Sequence, residues 1–281
     1  MTPTTNVPSA GFAARLREEL SFRSRAYAHR LKLPMCESYG PAPVVCYEPS
    51  EDGLMHGNFL KETYRAILKE ESWGRRLEKV HTQARSSLPR RDRRWRELDS
   101  CNSSDALLMN IFCFPGTLKE RRVFDLLGVE FGALPVLGFR ARVPFVSGRV
   151  DRTEVDMRLG DLLVEAKLTE SNFQSGEVDA AETYRDFRDV FDVRNLPREG
   201  GRYLSYQLIR NVLAAHASGC SFCVMADERR PDLREAWYGV MRSVRSAELR
   251  VRCKMITWQE VAAVLPARLR RFLEEKYGIA G

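Results

Sequence analysis

The chain has 281 residues, 44% hydrophobic and 30% charged, which fits a globular protein with one sizeable core and excludes general disorder. No run of about 18 apolar residues occurs, and the opening MTPTTNVPSAGFAARL lacks the basic-then-apolar order of a secretory signal, so a cytoplasmic location without a membrane partner is expected. Lys and Arg number 45 against 38 Asp and Glu, a net charge of +7, and the seven cysteines lack the regular spacing of a disulfide framework and read as reduced thiols.

In chain order, the character changes near Pro115. Ahead of it, apolar residues recur at three- and four-residue spacing over 13–32, 58–84 and 103–114, which predicts helices, with Ser103 or Ser104 as the cap of the last. Residues 73–97, WGRRLEKVHTQARSSLPRRDRRWRE, hold nine Arg or Lys against three acids, bracketed by Trp73 and Trp95. Guanidinium groups neutralise phosphates and flat rings stack on bases, so Arg90, Arg91, Arg93 and Arg94 are candidate nucleic-acid contacts; a solvated Arg-rich face is the alternative. Beyond Pro115 the order is a helix over 116–129, an alternating strand over 139–146, two short apolar runs over 154–167, and a polar segment over 171–201. A helix over 202–217, a strand over 220–227, a proline-started helix over 231–244, a strand over 251–258 and a short helix over 259–265 follow. This order predicts an α/β core of four or five strands with helices on both sides, residues 116–281, and a basic helical region, residues 1–115, packed on it.

Residues 153–170, TEVDMRLGDLLVEAKLTE, put five carboxylates and a lysine inside two apolar runs. If Gly160 and Asp161 form a two-residue hairpin turn, counting outward opposes Leu159 to Leu162, Met157 to Val164, Asp156 to Glu165 and Glu154 to Lys167. One face then carries Val155, Met157, Val164 and Ala166, and the other the charged set. Opposed residues have Cβ atoms about 4.5–5.5 Å apart, so Asp156 and Glu165 repel unless a proton or a metal intervenes. Hard oxygen donors of this kind suit Mg²⁺ or Mn²⁺. A salt-bridged outer face is the plainer alternative, and Asp161 falls in the turn.

Asp156 followed by Glu165-Ala166-Lys167 on a hairpin resembles the PD-(D/E)xK nuclease superfamily over residues 116–258; the position before the aspartate is Val155 where the family name implies proline. HGNFLKETYRAI, WRELDS and NSSDALLMNIF are similar to bacterial restriction-endonuclease-like proteins of unassigned substrate. The resemblance implies a restriction-endonuclease-like core, a mixed central sheet flanked by helices with an N-terminal helical region. It implies Asp156 and Glu165 as ligands of Mg²⁺ or Mn²⁺, and Lys167 as the group that orients water and stabilises phosphate charge. Glu154 is either a further catalytic acid or a partner of Lys167, the second reading being preferred. Gln207 resembles the glutamine that many members place on the following helix, on a stripe with Tyr203, Arg210 and Asn211 opposite Leu204, Leu208, Val212 and Ala215. A further acid on an earlier helix is common in the superfamily, and Asp105, Glu120 and Glu130 all remain open.

Other signals carry less. Cys220 and Cys223 have CxxC spacing but sit three apart on a strand, facing opposite sides, and no second CxxC exists to complete a zinc site. His56, beside a glycine, suits a loop or packing role, and no Gly-rich phosphate cradle appears. The expected function is a metal-dependent endonuclease of DNA, with RNA the lesser alternative, in bacterial defence or DNA processing. A non-catalytic nucleic-acid-binding module and a subunit active only within a larger defence complex are the competing classes. A homodimer is a further open partner, because one site per protomer cuts one strand.

Overall fold

The computed structural model describes residues 9–38, 43–80 and 94–281. Its central sheet has five strands in the spatial order Cys253–Thr257, Ser221–Ala226, Leu162–Ala166, Glu154–Leu159, Pro135–Arg140. The first three run parallel, and Glu154–Leu159 is antiparallel to both its neighbours, so the sheet is mixed. Connection length dictates this. The turn at Gly160 and Asp161 can only return the chain antiparallel, whereas the parallel strands are joined through the helix Tyr206–Ser218 and through Pro231–Met241 with Ala247–Arg252.

Helices cover both faces. Leu16, Leu108, Phe124, Trp258 and Leu269 pack with Leu162, Val164 and Ala166 on one side. Leu208, Val212, Trp237 and Leu249 pack with Leu163, Phe222 and Val224 on the other. The strand Leu162–Ala166 is buried at every position, as a strand covered on both faces must be. The architecture is therefore α/β, the expected mixed central sheet flanked by helices, with an N-terminal helical region led by Ser9–Leu31.

Several elements differ from the expected ones for local reasons. The helix expected over 58–84 ends at Lys69, where Glu70 turns extended and its carboxylate accepts from the Ser72 N–H to start the short helix Glu71–Gly74. The helix expected from 202 begins at Tyr206, because Arg202–Leu204 pairs with Ser175–Glu177 as a strand. Tyr203 and Leu204 thus fall outside the helical stripes assigned to them, Tyr203 buried and Leu204 exposed. The strand expected over 139–146 is split; Pro144, which lacks a backbone donor, sits in a separate two-stranded piece with Val150–Asp151. The polar segment 171–201 contributes Phe173, Tyr184, Phe187 and Phe191 to the second core, so its aromatics outweigh its average polarity. Of the two capping candidates, Ser103 accepts from the Ala106 N–H and starts the helix Ser104–Phe112.

The last helix, Ala267–Tyr277, lies beyond the last element expected from the sequence and carries a fully buried lysine. Lys276 Nζ donates to Gly57 O at 3.3 Å and to Asn58 Oδ1, lies 4.2 Å from the Tyr47 ring centroid, and is flanked by Tyr27 and Tyr277. Burial pushes its value down to about 7 from 10.5, against a weaker upward influence of Cys101. Between those pH values the unfolded chain binds a proton that the folded chain lacks, so this group makes stability rise with pH. The unfolding free energy of the wild type relative to Lys276→Met should increase by about 1–2 kcal/mol between pH 7 and 9; a difference that ignores pH would mean that the ammonium stays charged in the fold.

Candidate active site

The hairpin ladder pairs Leu159 with Leu162, Arg158 with Leu163 and Met157 with Val164, the expected register, around a turn in which Gly160 has φ +58°. Past Met157 the expected pairing is not continued. The Ala166 N–H donates instead to the Asp156 side chain, to Oδ2 at 2.8 Å. Alternation breaks at the same residue: Met157 and Leu159 belong to one core and Val155 to the other. The expectations that Val155 shares the face of Met157, and that Asp156 and Glu154 sit in ladder register opposite Glu165 and Lys167, are therefore corrected. On the adjoining strand Gly138 has φ +62°, and a Cβ there would lie 2.5 Å from Arg76 Nη1. Glycine leaves the room in which the Arg76 guanidinium reaches Glu154.

Glu165 is 1% exposed and Lys167 6%. Such burial of a carboxylate requires donors, and three are supplied: Lys167 Nζ at 2.8 Å and Gln207 Nε2 at 2.5 Å to Oε1, and Asn211 Nδ2 at 2.8 Å to Oε2. Gln207 and Asn211 stand four residues apart, one turn of the helix, and so present their amides to the same strand. Because the carboxylate only accepts, the Gln207 nitrogen must face it; its Oε1 is then buried without a partner. Lys167 is fixed through its backbone, its N–H donating to Met225 O at 2.8 Å and its carbonyl accepting from Trp258 Nε1 at 2.9 Å. Burial lowers the ammonium's value, but the Glu165, Glu170 and Asp156 carboxylates outweigh it and hold Lys167 above the ordinary lysine range.

A second charge group lies beneath Asp156, supplied by residues ahead of Pro115. Asp105, 2% exposed, accepts from Arg76 Nη2 at 2.9 and 3.1 Å and from Lys79 Nζ at 2.5 Å. Arg76 also donates to Glu154 and stands 3.9 Å from Asp156 Oδ1, while Lys79 pairs with Glu97 at 2.9 Å. Of the three earlier acids left open, Asp105 is the one brought to the site; Glu120 pairs with Arg122 and Glu130 is exposed. Glu154 is held by Arg76, so its assignment as the Lys167 partner is corrected. Burial raises Asp105, yet Lys79 and Arg76 bring it below the usual carboxylate range. Asp156 goes the other way: burial, then Glu165 and Asp105, push it well up against the weaker pull of Lys79 and Lys167.

Asp156, Glu165, Lys167 and Gln207 line one cleft of about 310 Å³, whose other charged walls are Arg17, Lys79, Glu97 and Glu170. Four carboxylates thus face three cations there. Asp161 is exposed in the turn. Arg210 is half-buried, its guanidinium 3.4 Å from the Glu154 carbonyl and from Asn211 Oδ1. Arg94 stacks over Trp95 at 4.3 Å and pairs with Glu48 at 3.2 Å, in a separate depression, and Trp95 itself is buried, so its ring is not open for stacking on a base. Trp73 is half-buried and donates to Pro135 O. Arg90, Arg91 and Arg93 lie outside the described residues. His56 is a packing residue: its Nδ1 accepts from the Asn58 N–H, and Nε2 faces Asp99 Oδ1 at 3.2 Å. Cys220 and Cys223 belong to opposite cores.

The residues missed at the sequence level are Arg76, Lys79 and, as a ligand of Glu165, Asn211. Helical spacing placed Asn211 beside Gln207, and its position one turn on from a site residue was the usable signal. Arg76 and Lys79 were hidden in a run of basic residues, where nothing distinguishes a buried guanidinium from a solvated one.

The mixed sheet, with an acid-bearing hairpin next to two parallel strands and helices on both faces, defines the restriction-endonuclease-like class. The chain belongs to the family described as Restriction Endonuclease associating with ARP, which matches residues 23–278. No curated protein and no solved structure matches it. Among the described residues no helix is long and apolar enough to cross a membrane.

The two central carboxylates should respond oppositely to removal. Glu165→Ala strands three buried donors and should destabilise the fold by about 3 kcal/mol, whereas Asp156→Asn keeps an acceptor for Ala166 and relieves repulsion, and should leave stability equal or slightly higher. Urea unfolding in EDTA measures both; equal losses would contradict the different environments of the two groups.

Proposed function

We propose that the chain is a divalent-metal-dependent endonuclease that hydrolyses phosphodiester bonds in DNA. The observation that carries this reading is the Asp156 carboxylate, whose one cation within 4.0 Å among the described residues, Arg76, is already engaged by Asp105 and Glu154, and which faces the same cleft as Glu165 where four acids meet three cations. The donor set fits Mg²⁺ or Mn²⁺: Asp156 and Glu165 are hard oxygen ligands, and ions of this type keep several waters. Among the described residues no group of three His, Cys, Asp or Glu is arranged to hold an ion, and the proposed ligands are these two carboxylates with water. The orphaned Gln207 Oε1 supports it, since a buried acceptor beside the ligands suits the proton of a bound water. When bound, the cation acts as a Lewis acid and lowers the pKa of water.

The chain's own groups then have separate tasks. Lys167 holds an ammonium beside the reacting phosphate and stabilises the charge that develops on it. Asn211 and Gln207 hold the Glu165 carboxylate in one orientation. Glu154 and Asp105, joined through Arg76, position the Asp156 strand. Arg94 and Arg210, with Arg90, Arg91 and Arg93, are read as backbone contacts of the nucleic acid. Residues 1–115 would form the basic helical region and 116–281 the nuclease domain. The family's description names an association with ARP, which favours activity inside a larger assembly; a homodimer is the other arrangement that cuts both strands. A cytoplasmic role in defence or DNA processing accords with this reading.

The test is incubation with supercoiled plasmid, linear duplex, single-stranded DNA and RNA, with and without Mg²⁺ or Mn²⁺. Nicking of the plasmid is expected, lost on Asp156→Asn and reduced at least about a hundredfold on Lys167→Ala, while Asp161→Ala retains it. Duplex binding without cleavage under any divalent ion, together with a calorimetric trace lacking a metal site, would assign the protein to the non-catalytic binding class. A metal site without cleavage would direct the search to a partner.

A further inference from the structure

Three cations line the central cleft, and two are neutralised by the acids around them: Lys167 by Glu165 at 2.8 Å, and Lys79 by Asp105 at 2.5 Å and Glu97 at 2.9 Å. Arg17 differs. It projects from the N-terminal helix Ser9–Leu31, ahead of residues 23–278 that the family matches, and is half-buried. One N–H, on Nη2, donates to the Thr169 carbonyl at 3.2 Å, two residues beyond Lys167. Among the described residues no carboxylate lies within 4.0 Å of it. A guanidinium carries five N–H donors in a planar fork, so this one is held in place by a single bond with the rest of its fork available at the cleft.

A cation that is anchored, cleft-facing and unpaired beside an acidic centre has a specific use. We infer that Arg17 binds a DNA phosphate next to the one that is cut, and so sets the register of the strand across Asp156, Glu165 and Lys167. The inference rests on the nuclease reading for the position of the cut, but the contact itself is a property of binding. Asn172, Gln174 and Gln207 add uncharged polar groups to the lining of the same cleft. Arg17 is thus a positioning residue, supplied by the first helix to a site whose acids lie on the central hairpin.

The experiment uses a fluorescently labelled mixed-sequence DNA duplex titrated in EDTA, so that binding is read without cleavage, over a series of salt concentrations. Arg17→Gln retains a donor for Thr169 O and loses the charge. It should weaken binding by about three- to tenfold, flatten the salt slope by about one phosphate contact, and leave the melting temperature unchanged. Arg17→Lys should restore the slope. In a cleavage assay Arg17→Gln should raise KM by a similar factor with little change in kcat, the mark of binding energy shared by ground and transition states. Wild-type slope and affinity in Arg17→Gln would overturn the inference, and cleavage that still depends on Asp156 would show that the nuclease reading survives it. A wild type that cuts nothing and binds no divalent ion in calorimetry, with a slope still lost in Arg17→Gln, would sink the nuclease reading and leave the phosphate contact standing.

Discussion

A carboxylate at the centre of a sheet must bring its donors with it. Glu165 lies on a strand covered on both faces, and stripping water from an ionised group is far more expensive than any single contact repays. Its three donors come from Lys167, just past its own strand, and from one turn of the facing helix, which ties the position of that helix to a polar contact as well as to Leu208 and Val212. The helix start at Tyr206 follows in part from this. Gln207 must fall in the first turn to reach Glu165 while Asn211 reaches the other oxygen.

Asp156 shows the complementary arrangement. Its carboxylate ends the expected hairpin pairing by taking the Ala166 N–H, and the twist there sends Val155 to one core while Met157 stays in the other. Beneath it, Asp105 absorbs both Arg76 and Lys79, so the strongest local cations are spent on the acid behind the site. The result is a gradient of compensation: Asp105 held ionised, Glu165 saturated with donors, Asp156 left under repulsion. Of these three neighbouring acids Asp156 has the weakest pairing, its nearest cation Arg76 standing 3.9 Å away and shared with Asp105 and Glu154.

Much of this was legible in the sequence, and the limit is physical. The Gly160-Asp161 turn and the first three hairpin pairs follow from turn chemistry, and Gln207 from the resemblance to the nuclease superfamily. Helix ends were less legible, because Glu70 turns extended and Ser205 takes a left-handed conformation at φ +57°, backbone changes that apolar periodicity does not encode. The break at Asp156 could not be counted outward from the turn: it depends on a side chain competing with backbone for one N–H. Asp105 was separable from Glu120 and Glu130 only in space, since all three sit at the beginning or end of a helix in sequence. Arg76 and Lys79 looked like two more charges in a basic run, although Arg76 is 9% exposed.

That misreading bears on how basic charge works in this chain. The excess of Lys and Arg suggests a surface that attracts phosphates, yet Arg76 and Lys79, from the start of the densest basic stretch, face inward to balance buried acids. Net charge therefore overstates the free positive surface. What matters for a polyanion near the hairpin is the subset of cations without an internal partner, and among the described residues of the cleft that subset reduces to Arg17. A cleft rich in carboxylates repels a phosphate backbone, and an unpaired guanidinium on its wall offsets part of that repulsion with no ion bound, so the placing of this one cation weighs more on a strand crossing the cleft than the chain's net charge does.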